Sequence, residues 1–136
     1  MHRFTLAAIL TLVVTAVAAT AAWAGSPHFV DGTVTATRSG DNLIVSGKEA
    51  GLGDEAQIHV VVTASAACIN PGGHHPQAAN KESFSAEGDF PVQNGKALFS
   101  LDLTATFQPD CTPPMTVVWS NISITVTAPG VNLTAP

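Results

Sequence analysis

Two adjacent histidines, His74 and His75, carry the most suggestive chemistry in this chain. Imidazole nitrogens bind zinc and copper well, and neighbouring histidines on a constrained loop can both reach one ion. Adjacent residues rarely complete a site unaided, so a third donor is required. Asp110 is the candidate metal ligand beside His74 and His75, because a bond from Cys111 to Cys68 would draw it toward the histidine loop. His28 and His59 cannot be placed nearby from the sequence. The plainer alternative is an exposed polar loop tip. The run Gly25-Ser26-Pro27-His28 makes a poor copper clip, since histidine is fourth and Pro27 has no N–H.

Other chemistries find less support. There is no Gly-x-Ser-x-Gly elbow for a nucleophilic serine. Carboxylates cluster at Asp54-Glu55 and across Glu87 and Asp89, but a glycosidase needs two of them facing a deep cleft. A chain this short has little material for one. Calcium at Glu49, Asp54 and Glu55 matches no established loop spacing. A flat sugar platform uses exposed Trp and Tyr. Here there is no Tyr, and beyond the first two dozen residues the one Trp is Trp119. Asn70 and Trp119 are the candidate ligand-contacting residues. Asn121-Ile122-Ser123 and Asn132-Leu133-Thr134 fit the N-glycosylation sequon. The reading is a non-enzyme, with no cofactor implied.

What must position these residues is the stretch from Cys68 to Cys111. It opens with Cys68-Ile69-Asn70-Pro71-Gly72-Gly73-His74-His75-Pro76 and closes with Asp110-Cys111-Thr112-Pro113-Pro114. These are the only two cysteines, and each lies where an alternating apolar pattern gives way to turn residues. A disulfide between them would close a loop of 43 positions. In the chain-entropy account that stabilises by roughly 3.5–4 kcal/mol.

The surrounding pattern has period two, with no helical stretch of three turns after the leader. Val30, Gly32, Val34 and Ala36 share one parity and suggest a half-buried first strand. Ser39-Gly40-Asp41-Asn42 is a turn, and Leu43 and Val45 continue as a second strand. Lys48 to Glu55 is expected to be a connecting loop. Ile58, Val60, Val62, Ala64, Ala66 and Cys68 fall on one face of a third strand. A long loop runs from Ile69 to about Ser83. Phe84 to Val92 is expected to hold a short, irregular strand broken by Gly88 and Pro91. Asn94-Gly95 is a type I′ hairpin signal. Ala97 through Phe107 alternates as a long strand, and Met115 to Thr127 as another. The two halves of that last strand change parity, which a bulge near Trp119 and Ser120 would reconcile. Val131 to Thr134 could add a terminal edge strand. This predicts an all-β, immunoglobulin-like antiparallel β-sandwich of about seven strands, with one disulfide clamping its rim; a barrel is the alternative. The usual immunoglobulin bond joins two strand interiors across the core, which Cys68 and Cys111 do not match.

The chain begins with Met1-His2-Arg3, an uncharged apolar run from Leu6 to Ala22, and the small-x-small site Ala22-Trp23-Ala24. That is the pattern of a cleaved signal peptide, residues 1–24, leaving residues 25–136 as a single β-sandwich domain. The expected location is secreted or extracellular, with no membrane span in the mature protein. The sequence carries 5 Lys and Arg against 10 Asp and Glu. A basic footprint is what phosphate-backbone binding needs, so nucleic acid is excluded as a partner. The expected partner is an extracellular ligand or protein that the sequence does not identify.

At Val45-Ser46-Gly47-Lys48-Glu49-Ala50-Gly51-Leu52-Gly53, Cys68-Ile69-Asn70-Pro71-Gly72-Gly73, Pro76-Gln77-Ala78-Ala79-Asn80-Lys81 and Cys111, the chain resembles a group of small exported proteins of bacterial, mainly actinobacterial, and fungal origin. The group is uncharacterised. The resemblance implies a secreted, disulfide-bonded domain and assigns no activity and no catalytic residue. The function expected is therefore a secreted binding or surface module, the alternative a copper- or zinc-binding domain using the His74-His75 loop.

Overall fold

The computed structural model describes residues 26–71, 80–128 and 131–135. They form two antiparallel sheets and no helix. The strands are β1 (His28–Phe29), β2 (Thr35–Ser39), β3 (Asn42–Ala50), β4 (Gln57–Ile69), β5 (Lys81–Pro91), β6 (Ala97–Thr104), β7 (Thr116–Ala128) and β8 (Val131–Ala135). In the first sheet β3 is central, with β1 and β2 pairing one edge of it and β6 the other. The second sheet has the order β5-β4-β7-β8.

Alternation builds the core. Leu43 and Val45 of β3, Ile58, Val60, Val62, Ala64 and Ala66 of β4, Phe99 and Leu103 of β6, and Ile124 and Val126 of β7 are all buried. Aromatic edges fill the space between the layers: Phe90 of β5 meets Phe99 of β6 across the sheets, and Phe84 meets both Phe107 and, within its own sheet, Trp119, at centroid distances of 5.8–6.3 Å. Gly47 leaves room for the Phe99 ring. A Cβ there would sit 2.8 Å from Phe99 Cζ.

Four strand boundaries differ from the sequence expectation. The first strand is split into β1 and β2 by a turn at Asp31–Thr33, where Gly32 takes φ +76° and the Thr33 hydroxyl donates to the Val30 carbonyl. The expected loop from Lys48 is strand as far as Ala50, because Lys48 and Glu49 pair with Leu98 and Ala97 of β6. The broken strand around Gly88 is a continuous strand of 11 residues. Gly88 pairs with Val60, and Pro91 is accommodated because β5 is an edge. Finally, β6 ends at Thr104, although Ala105 and Phe107 remain buried beyond it.

Two local expectations are met. Asn94 and Gly95 have φ of 53° and 73°, and Gln93 and Lys96 exchange both backbone hydrogen bonds across them. The strands on either side then separate into different sheets, so the turn is a corner between layers. The bulge in β7 also exists. Thr63 pairs with Ser123 but Ser65 with Ser120, and Asn121 in between has φ of 52°.

Candidate functional site

β4 delivers Cys68 to one pole of the molecule. Cys68 is the penultimate residue of β4, on its buried face, and Cys111 lies in the loop between β6 and β7. They form a disulfide with Cα atoms 5.8 Å apart. Met115 backs it, its Sδ 3.8 Å from Cys68 Sγ. The bond holds the β6–β7 loop against the end of the second sheet.

Beside the clamp is an open groove of about 360 Å³. Asp41, Thr104, Thr106, Phe107, Asp110 and Thr112 line it together with Cys111. Asp41 comes from the β2–β3 turn. It is fixed to the groove by its carbonyl, which accepts from the Ala105 N–H at 2.8 Å. Both carboxylates are exposed, and the threonines add hydroxyls that donate or accept. Such a lining can grip polyhydroxyl or cationic groups. Among the described residues, the one side-chain hydrogen bond made by a lining hydroxyl runs from Thr104 to Asn42 Oδ1.

Of the residues singled out from sequence, Cys68, Cys111 and Asp110 meet at this pole. Asn70 is exposed just past the end of β4. His74 and His75 lie outside the described residues, so the metal-ligand set of His74, His75 and Asp110 has only Asp110 in view. No group of three His, Cys, Asp or Glu side chains among the described residues could hold a metal ion. Trp119 is 3% exposed, with its indole N–H donating to the Gly40 carbonyl at 3.3 Å and its ring edge-on to Phe84. It offers no open face to a ligand and serves to bind the β2–β3 turn to the core.

Two features escaped the sequence reading. The first is His59 on the outer face of β4. Its Nδ1 is 2.8 Å from Asp89 Oδ1 and its Nε2 is 3.3 Å from Glu87 Oε2. With an acceptor at each ring nitrogen the imidazolium is favoured. The hydrogen bond to Asp89, then that to Glu87, holds the His59 pKa above 6.5. The carboxylates lie on opposite sides of the ring, so they do not converge on one ion. The outward parity of His59, Glu87 and Asp89 was present in the sequence. Register between β4 and β5 was not.

The second is Glu49, at 0% exposure on the inward face of β3. Neither carboxyl oxygen has a hydrogen-bond partner among the described residues. Burial raises its pKa to about 7, against a smaller lowering by the charge of His28. Its carboxyl therefore stays protonated in the folded chain until the pH approaches about 7.

The chain matches no family model, and it matches no curated protein and no solved structure.

Proposed function

We propose that this chain is an exported, non-enzymatic β-sandwich that works as a binding or surface module through its disulfide-clamped pole. The observation that carries the reading is the groove beside Cys111. Two carboxylates from different loops, Asp41 and Asp110, share it, and a covalent bond holds one of those loops in place. Fixing a loop in its binding conformation removes ordering entropy from the binding step.

The topology supports an immunoglobulin-like frame. β3 and β6 are neighbours as B and E are in such a domain, and β4, β7 and β8 stand as C, F and G. β5 takes the edge beside C that C′ takes in variable domains. A disulfide fits an oxidising compartment, and the leader pattern at residues 1–24, which lies outside the described residues, fits export. The resemblance of the loop motifs to those of small exported actinobacterial and fungal proteins agrees with this and adds no activity.

The test uses protein expressed from the full sequence in an exporting host. Soluble cello-, chito- and malto-oligosaccharides and the polyamine spermidine are titrated into wild type and an Asp41→Asn/Asp110→Asn variant. Backbone amide shifts are read by NMR. The reading expects at least one probe to move amides of the β2–β3 turn and the β6–β7 loop, with the response lost in the variant at an unchanged melting temperature. Responses confined to other surfaces, or no response to any probe, would contradict it.

A further inference from the structure

The free edge of β6 presents a second surface, at the opposite end of that strand from the clamp. Among the described residues β6 pairs with β3 alone. Backbone groups alternate sides along a strand, and two hydrogen bonds fix which residues point where. The Ala105 N–H bonds Asp41, which continues the β3 side, while the Lys96 N–H and carbonyl both bond Gln93 on the other side. The N–H and carbonyl groups of Leu98, Ser100 and Asp102 therefore point away from β3. They have no backbone partner among the described residues.

At the start of this edge the chain turns into the other sheet, leaving a groove of about 370 Å³. The charged residues lining it are Lys48 and Lys96, and no carboxylate is among its walls. The whole chain has 5 Lys and Arg and a net charge of −5, so this is a local reversal of sign. Leu98 stands directly opposite Lys48 and is 71% exposed, more than any other large apolar side chain described.

We propose that β6 takes up the carboxyl-terminal segment of another protein as an added antiparallel strand, with Lys48 and Lys96 receiving its terminal carboxylate. Edge pairing supplies main-chain hydrogen bonds, and capture of a chain end supplies direction. A strand antiparallel to β6 runs from Thr104 toward Ala97, so its carboxyl end arrives at the two lysines. Gln93 already occupies the position beside Lys96, so the added strand must stop at Leu98. A chain end satisfies that condition. A second copy of β6 does not, because its chain continues past Thr104 and brings no terminal carboxylate to the lysines. Two lysines are too few for a nucleic-acid backbone, which binds through many phosphate contacts.

This goes beyond the clamped-pole reading and stands or falls apart from it. Random decapeptides displayed with free carboxyl termini are selected on the exported protein. The best peptide and its C-terminal amide are then measured by calorimetry, against wild type and against Lys48→Gln/Lys96→Gln and Leu98→Asp variants whose melting is checked first. The expected result is shifts at the Leu98, Ser100 and Asp102 amides, and a loss of about tenfold or more in affinity on amidation and in the lysine variant, the scale of one lost charge-assisted contact. Failure to enrich any peptide, binding indifferent to amidation, amide shifts confined to other strands, or concentration-dependent dimerisation through β6 would each overturn the proposal.

Discussion

Cys68, on the buried face of β4, and Cys111, in the loop after β6, are joined with their Cα atoms 5.8 Å apart. The bond ties a loop that carries Asp110 to the end of the longest regular strand in the core. A free-thiol assay on the denatured, unreduced protein should find none, and two reactive thiols would contradict the clamp. Replacing both residues, Cys68→Ser with Cys111→Ser, should cost roughly 2–5 kcal/mol in denaturant unfolding. The sheets should still form, because their buried faces are made by alternation on β3, β4, β6 and β7.

Glu49 sets a pH dependence whose sign follows from its position. In the folded chain it titrates at about 7, raised by burial from the ordinary value of 4.5. Between those values the native state holds a proton that the unfolded state has released. Its contribution to stability is therefore greatest below pH 4.5 and is lost as pH rises through about 7. At 1.36 kcal/mol per unit the loss reaches about 3 kcal/mol at most. Glu49→Gln keeps the shape and removes the titration. Urea unfolding across pH 5–8 should show a falling stability in wild type and a flatter profile in the variant. Equal slopes would contradict the assignment.

His59 between Asp89 and Glu87 should titrate above its ordinary 6.5, because both partners accept hydrogen bonds from the charged ring. An NMR titration of its ring protons measures the midpoint directly. Asp89→Asn removes the shorter hydrogen bond and should bring the midpoint down, with Glu87→Gln lowering it less. A midpoint at or below 6.5 in wild type would contradict the geometry. The pair lies on the solvent face, so neither change should measurably alter the fold.

The parts legible in the sequence were those set by a local period. Ile58, Val60, Val62, Ala64, Ala66 and Cys68 keep one parity throughout, so the buried face and the placement of Cys68 at its end followed from it, although Val61 and Ala67 are apolar on the other parity. Asn94-Gly95 was legible because few dipeptides supply two positive φ values in succession. Glu49 was not legible. A charged residue beside Lys48 and ahead of Gly51 reads as solvated loop, and only pairing with Ala97 of β6 places it inward. β5 was hidden for a related reason. Gly88 and Pro91 are strand breakers by composition, yet an edge strand tolerates both. The contact of His59 with Asp89 depends on register between strands 30 residues apart, which no local pattern encodes.

We propose that the clamped pole binds through Asp41, Asp110 and its threonine hydroxyls rather than through a copper or zinc centre built on His74 and His75. Calorimetric titration of copper and of zinc decides it most directly, on exported wild type and on a His74→Ala/His75→Ala variant. Both proteins should give the same flat trace with both metals. Tight uptake by wild type that the double variant loses would contradict it and establish the metal-binding alternative.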